Sequence, residues 1–213
     1  IEENMVNFLL KNIKNDSIPQ FNIFAGDMIE GSVPDSIVCQ FLNFVQPDLT
    51  SPIDFLFNHN DVDFRLLMSN VKCDSVPILE RYIIEADSMK IGIFAIYTPD
   101  WTVKNNLPEF VEFDFNVFDL TREIALDLAA TTDFVILLSN LSKYIDSDLV
   151  RSLPIDIAVS FDYQKTQNQK LNNRKTSYFS ILTNQGKYGK LRLQYSKDRI
   201  SYKWQERVFG VKK

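Results

Sequence analysis

Histidine is almost absent from this sequence, since His59, in the segment FNHND, is the single histidine among 213 residues. A metal site at that loop would have to draw its other ligands from other residue types. Cysteine is scarce too, because Cys39 and Cys73 are the two in the chain and do not make a disulfide framework. Their apolar and strand-like contexts favour burial as small hydrophobic side chains.

Long apolar runs and basic clusters are also missing. No stretch approaches the ~20 apolar residues that a membrane-spanning helix needs. The net charge is −5 and no Lys/Arg cluster is interleaved with aromatic residues, so we expect neither a transmembrane segment nor nucleic-acid binding. With 45% hydrophobic residues and 17 phenylalanines, the sequence predicts one packed α/β or α+β domain.

Segments of helical and strand-like periodicity alternate along most of the chain, which indicates a layered α/β fold. We predict helices over residues 4–14, 35–45, 119–131 and 147–153, and a helix-like segment over 63–70. We predict strands over residues 20–25, 53–57, 71–73, 78–86, 90–98, 133–140 and 155–162. The polar stretch 162–177 is expected to be a surface loop, and the alternating residues 177–209 predict an antiparallel β finish.

Several of these strands stop at polar side chains. In open α/β sheets, functional residues gather at the carboxyl ends of the strands. The ends in question carry Asp27, Asn58 with His59, Ser139 with Asn140, and Asp162 with Gln164. A metal centre assembled from several loops requires such a series. The simpler interpretations are a turn or cap residue for Asp27, a loop amide for Asn58, and surface polarity for Asp162 and Gln164.

Five segments, in order, resemble motifs of the calcineurin-like metallophosphoesterases, specifically of the 5′-nucleotidase branch. AGDMIEGS resembles the family's GDxxxGS, and FNHND resembles GNHE/D with Phe57 in place of the glycine. The helix and strand that end in SNLS resemble those leading to SHLG, IDIAVSFDYQ resembles the strand leading to GHTH, and GKYGKLRLQY resembles the closing GxYGxxLGxLxLxY. The resemblance covers nearly the whole chain. It implies a four-layer α/β/β/α sandwich, with two mixed sheets face to face and helices outside.

The family's site uses two metal ions to clamp a phosphate and activate a bridging water. The resemblance puts the bridging Asp on Asp27, the Asn ligand on Asn58, and the histidine that stabilises the phosphoryl transition state on His59. The histidine ligands of SHLG and GHTH fall on Asn140, Asp162 and Gln164. Because imidazole holds Zn, Mn or Fe tightly and amides are poor donors, the resemblance implies a degenerate metal site with a vestigial His59.

We therefore predict a catalytically inactive metallophosphoesterase-like pseudoenzyme, kept as a binding or scaffold module with a protein partner. Two alternatives stay open. One is a divergent metal-dependent phosphoesterase whose D-x-H motif lies upstream of Ile1. The other is a weak binder of one Mg²⁺ or Ca²⁺, held by oxygens of Asp27, Asn58, Asp162 and Gln164.

The resemblance also implies a domain organisation for the chain. Residues 1–213 are expected to form one metallophosphoesterase-like domain, without the C-terminal substrate domain of active 5′-nucleotidases, and the family implies an extracytoplasmic location. The family's D-x-H strand should precede the helix at 4–14 and lie beside QFNIFA (20–25). Because an open apolar strand edge favours aggregation, we expect the backbone of residues 22–25 to be paired on both sides. Upstream residues or a partner's strand would complete that pairing.

Overall fold

The structure is a computed structural model, and it describes residues 21–24, 43, 47–50, 65–74, 76–86, 89–98, 110–160, 169–170, 177–180, 187–196 and 199–208. Two helices lie in this part of the chain, α1 (Val117–Thr131) and α2 (Lys143–Ser152). Neither combines the length and apolar character that crossing a membrane requires. The strands are β1 (Ile23–Phe24), β2 (Leu49–Thr50), β3 (Leu66–Leu67), β4 (Val71–Cys73), β5 (Ile78–Leu79), β6 (Arg81–Ala86), β7 (Met89–Ile96), β8 (Val111–Phe113), β9 (Phe134–Ser139), β10 (Ile157–Ser160), β11 (Gln169–Lys170), β12 (Ser177–Ser180), β13 (Lys187–Ser196) and β14 (Arg199–Val208).

The largest sheet has six strands in the order β11-β12-β10-β9-β7-β6. Its four inner strands run parallel to one another, and the antiparallel strands β11 and β6 lie at the two edges. Parallel neighbours need a crossover connection. Accordingly, α1 lies between β7 and β9 in the chain, and α2 lies between β9 and β10. β9 and β10 are buried along their whole length, which explains their nearly continuous apolar sequences.

The remaining strands form three smaller groups. β1, β2, β3 and β5 make a four-stranded parallel sheet, and β4 pairs with β8 in an antiparallel ladder. β13 and β14 form a long antiparallel hairpin whose register runs from Lys187↔Val208 to Ser196↔Arg199. The alternation of apolar and polar residues near the C-terminus predicted this hairpin.

One face of the six-stranded sheet packs on the two helices. Successive side chains of a strand point to opposite faces, so one alternate set of residues meets the helices. This set and its helical neighbours form one buried cluster that includes Phe94, Ile96, Val135, Leu137, Ala158, Ile124, Ala125, Leu128, Leu149 and Val150. Gly92 allows close packing here, because a Cβ at that position would lie 2.9 Å from Leu128 Cδ2.

The opposite face packs on the smaller sheets. The buried cluster on this side includes Ile91, Ile93, Ala95, Phe134, Ile136, Leu138, Ile157, Val159, Leu49, Leu67 and Met68. Half-buried residues of the hairpin pack against it, as does Cys73. The described layers are therefore helices, the six-stranded sheet, and a second layer of strands. The outer helices predicted at 4–14 and 35–45 lie outside the described residues, apart from Asn43, which is helical.

The helix-like interpretation of residues 63–70 is wrong where the structure describes them. Leu66 and Leu67 form β3, in register with Thr50 of β2 on one side and with Ile78 and Leu79 of β5 on the other. Their burial between two strands favours the extended backbone over any local helical preference. The helices at 119–131 and 147–153 are confirmed, with observed starts at Val117 and Lys143.

Two expectations for the last third of the chain also need correction. Gln169 and Lys170, inside the stretch expected to be a loop, form β11 and pair with β12. β12 itself runs parallel to β10, so it extends the six-stranded sheet instead of starting an antiparallel finish. The residue pattern of a short segment can indicate that it forms a strand, but it does not determine whether that strand runs parallel or antiparallel to its neighbour.

β1 bears on the expectation that residues 22–25 are paired on both sides. It pairs in parallel with β2, and Asn22 O accepts hydrogen bonds from Asp48 N (3.1 Å) and Leu49 N (3.3 Å). Among the described strands, β1 is at the end of its sheet. Pairing on its other side stays a prediction.

Candidate functional site

The predicted site residue that the structure describes is Asn140, which directly follows β9. β7 is the parallel neighbour of β9, and both strands end at the same edge of the sheet. Asn140 N donates to Ile96 O (3.3 Å), and Thr98 N donates to Asn140 Oδ1 (2.6 Å). The half-buried Asn140 side chain therefore holds the backbone that leaves β7.

A second asparagine, Asn70 in the turn after β3, holds the same segment. Asn70 Nδ2 donates to Tyr97 O (2.8 Å), and Tyr97 N donates to Asn70 Oδ1 (3.1 Å). The Asn70 amide thus pairs with the backbone in the way that a neighbouring strand would. Because Asn70 is 1% exposed, water does not compete with this pairing.

Ser69 extends the connection along β7. Its N–H donates to Ala95 O (2.7 Å), and its hydroxyl accepts from Ala95 N (2.9 Å) and donates to Glu80 O. The turn after β3 is consequently joined by Ser69 to Ala95 of β7 and by Asn70 to Tyr97, which directly follows β7. Sequence reasoning missed Ser69 and Asn70, because their segment was interpreted as helical. Their position directly after the apolar run Leu66-Leu67-Met68 was the signal for a strand end.

Ser139, the last residue of β9, is hydrogen-bonded to α2. Ser139 Oγ donates to Asp146 Oδ1 (2.6 Å) and accepts from Leu141 N (3.0 Å). Ser139 and Asp146 are both fully buried, so water does not compete for this hydrogen bond. Ser142 caps the helix by accepting from Ile145 N (3.4 Å). The strand end is therefore fixed from several directions.

The other predicted site residues, Asp27, Asn58, His59, Asp162 and Gln164, lie outside the described residues. In the ranges that are described, no group of three or more His, Cys, Asp or Glu residues forms a potential metal site. Asn140 contributes a neutral amide whose oxygen already accepts a hydrogen bond, and such a group is a poor ligand for Zn, Mn or Fe. This part of the site does not fit a histidine-rich two-metal centre.

In the part of the chain that the structure describes, two surface depressions lie at the opposite end of the six-stranded sheet. One includes Met89 and Lys90 at the start of β7 and Thr131 at the end of α1. The other includes Phe134 and Val135 at the start of β9. Since chemistry in open α/β sheets gathers at the carboxyl ends of the strands, these depressions are separate from the candidate site.

No protein-family model and no curated protein matches this sequence. Solved structures do match. NAD nucleotidase from Haemophilus influenzae aligns over 97% of this chain and 48% of its own, with a TM-score of 0.72 and 18% identity. A 5′-nucleotidase precursor from Thermus thermophilus aligns over 97% of this chain and 48% of its own, with a TM-score of 0.70 and 12% identity.

A third match extends the comparison to a shorter protein. A calcineurin-like phosphoesterase from Bacillus subtilis aligns over 96% of this chain and 81% of its own, with a TM-score of 0.63 and 16% identity. This chain thus spans about half the length of the two nucleotidases. At these identities the likeness shows the fold, and it confirms at that level the resemblance found in the motifs.

Proposed function

We propose that this chain, which has the fold of 5′-nucleotidases and calcineurin-like phosphoesterases, is a catalytically inactive module that binds protein partners or acts as a scaffold in an assembly. Fold alone does not determine function, because unrelated activities share one fold and the site decides between them. The proposal therefore depends on the site.

The observation that carries the proposal is the Asn140 side chain. It follows β9 where the resemblance puts a histidine ligand, and its oxygen accepts a 2.6 Å hydrogen bond from Thr98 N. An amide in this role supports the backbone at the carboxyl ends of β7 and β9, and it supplies no imidazole for a metal. By the same resemblance, Asp162 and Gln164 take the positions of two further histidines, and we propose that Asp27, Asn58 and His59 are remnants of the same site.

The proposal includes the organisation of the chain. We propose that residues 1–213 form one metallophosphoesterase-like domain, with the helices predicted at 4–14 and 35–45 in its fourth layer. The helical state of Asn43 supports the second of these helices. An extracytoplasmic location is proposed from the family resemblance alone.

The competing function is a divergent metal-dependent phosphoesterase, and the names of the matched structures favour it, since they are nucleotidases and a phosphoesterase. A weak Mg²⁺ or Ca²⁺ site built from carboxylate and amide oxygens is a further candidate. The inactive module and the phosphoesterase predict opposite results for hydrolysis by purified protein.

The test combines metal analysis with hydrolysis of p-nitrophenyl phosphate and AMP. We expect no stoichiometric Zn, Mn or Fe and no metal-dependent turnover. Metal-dependent turnover that disappears in Asp27→Ala and persists in the control Asp148→Ala, whose side chain is 77% exposed, would overturn the proposal.

A second test addresses Asn140 itself. Asn140→Asp keeps an oxygen for Thr98 N–H, so we expect it to preserve stability, whereas Asn140→Ala should lower it by about 1 kcal/mol. If Asn140 held a metal, the Asp variant would instead change the metal content of the protein.

A further inference from the structure

Three exposed phenylalanines lie within nine consecutive residues, close to β8 and the start of α1. Phe110 is 48% exposed, Phe115 is 66% exposed and Phe118 is 57% exposed. A fully accessible phenylalanine presents about 200 Å², so the three leave roughly 350 Å² of aromatic surface in water. Exposed aromatic side chains grouped this closely along the chain mark an interaction site more often than a single exposed side chain does.

The surface is ordered before any partner arrives. The Phe115 ring lies 5.1 Å from that of Phe113, which is half-buried and packs against the core. Asn116 N donates to Asp114 Oδ1 (2.8 Å), and Asn116 Nδ2 donates to Asp119 Oδ2 (2.9 Å). These hydrogen bonds fix the turn that carries Phe115 into α1. A surface that is already ordered loses less conformational entropy on binding.

The same stretch carries negative charge. Residues 110–119 contain Glu112, Asp114 and Asp119, all exposed, and no Lys or Arg. Among the described residues none of these carboxylates forms an ion pair. Lys72 lies opposite Glu112 in the β4–β8 register. The patch therefore combines aromatic rings with a net negative charge.

We propose that residues 110–119 form the surface through which this chain binds a partner protein, and that the bound segment carries Lys or Arg beside apolar side chains. This inference rests on the proposed function, because it names the surface and the partner chemistry of the same binding module. Carboxylates attract cations and arginine stacks on aromatic faces, so such a segment satisfies both features of the patch.

Other occupants fit less well. Nucleic acid and anionic lipid surfaces are repelled by the three carboxylates. A second copy related by a two-fold axis would bring the same patch against itself, and thus carboxylate against carboxylate. These occupants become outcomes of the test.

The test is selection from a phage-displayed random 12-residue peptide library on the full chain, followed by fluorescence anisotropy with the selected peptides. Phe115→Ser/Phe118→Ser removes the rings, and Asp114→Asn/Asp119→Asn removes charge while keeping side-chain shape. Leu126→Ser is the matched control, since Leu126 lies on the same helix and is 50% exposed.

We expect the peptides that depend on Phe115 and Phe118 to be enriched in Lys or Arg together with apolar residues. Their affinity should fall at least about tenfold in each patch variant, as for loss of an interface hot spot, and should be unchanged in Leu126→Ser. Phe-dependent peptides without cations, or no peptide that depends on these residues, would overturn the inference.

Two further outcomes would also overturn it. Self-association in light scattering, lost in the Phe variant, would identify a second copy as the occupant. Phe-dependent sedimentation with phosphatidylglycerol vesicles would identify lipid. Hydrolysis assays on the same preparations report on the proposed inactivity separately, so failure of the one is distinguishable from failure of the other.

Discussion

Replacing Asn70 by alanine should destabilise the protein strongly, although Asn70 is not among the residues that the motifs single out. The substitution removes two hydrogen bonds to Tyr97, of 2.8 and 3.1 Å, at a position that is 1% exposed. Water cannot replace the lost amide without opening the contact between the two sheets. Asn70→Asp should be at least as damaging, because a carboxylate oxygen would then face Tyr97 O.

The magnitude follows from the cost of leaving buried polar groups without that partner. Each such group costs about 1–3 kcal/mol, so the loss of both contacts should lower the free energy of unfolding by about 2–6 kcal/mol. For a domain of this size, ~1 kcal/mol corresponds to roughly 2–4 °C in Tm. The expected decrease in Tm is therefore roughly 4–24 °C.

Urea unfolding followed by circular dichroism measures this change, provided that the slope m is the same for each variant. Asn116→Ala is the matched control, because Asn116 is exposed although it also donates to a neighbouring side chain. Because Asn116 is also the N-cap residue of α1, the control should lower the free energy of unfolding by about 0.5–1 kcal/mol. If Asn70→Ala proves as mild as Asn116→Ala, the pairing of Asn70 with Tyr97 does not join the two sheets.

Two further predictions concern packing and the loop around His59, which we propose to be vestigial. Gly92→Ala should lower the free energy of unfolding, measured with urea, by about 1–2 kcal/mol, because overpacking against Leu128 exceeds the gain from a stiffer unfolded chain. Combined with Leu128→Ala, it should cost less than the sum of the two single changes. A neutral Gly92→Ala would contradict the close packing. His59→Ala and Asn58→Ala should each change the free energy of unfolding by no more than ~1 kcal/mol. Adding Mg²⁺ or Ca²⁺ should leave Tm unchanged. A rise in Tm that Asp27→Ala abolishes would instead support ion binding.

Much of the fold was predictable where burial makes the sequence pattern strong. The continuous apolar run of β9 and the helix-forming residues of α1 identified both elements, since each buries a large apolar surface. β3 was mistaken for part of a helix, because two leucines fit either periodicity and only their neighbours β2 and β5 decide. The parallel direction of β12 likewise depends on β10, which lies elsewhere in the sequence.

The candidate site was predictable to a lesser degree. The end of the apolar run located Asn140, because a buried strand tends to stop where a polar residue reaches the sheet edge. Its hydrogen bond to Thr98 depends on β7 and β9 being neighbours, which only the topology establishes. Asn70 lies in the turn after β3, where the end of an apolar run could have located it, but its pairing with Tyr97 depends on how that turn packs against the end of β7.

The burial of β9 has a consequence for motion. Its backbone is paired with β7 on one side and β10 on the other, and all six of its residues are buried. Amide protons in such a strand exchange with solvent only when the whole domain opens, so they are among the slowest in the molecule. The strand that ends at Asn140 therefore keeps its place for as long as the chain stays folded. Any rearrangement at that end has to take place outside β9.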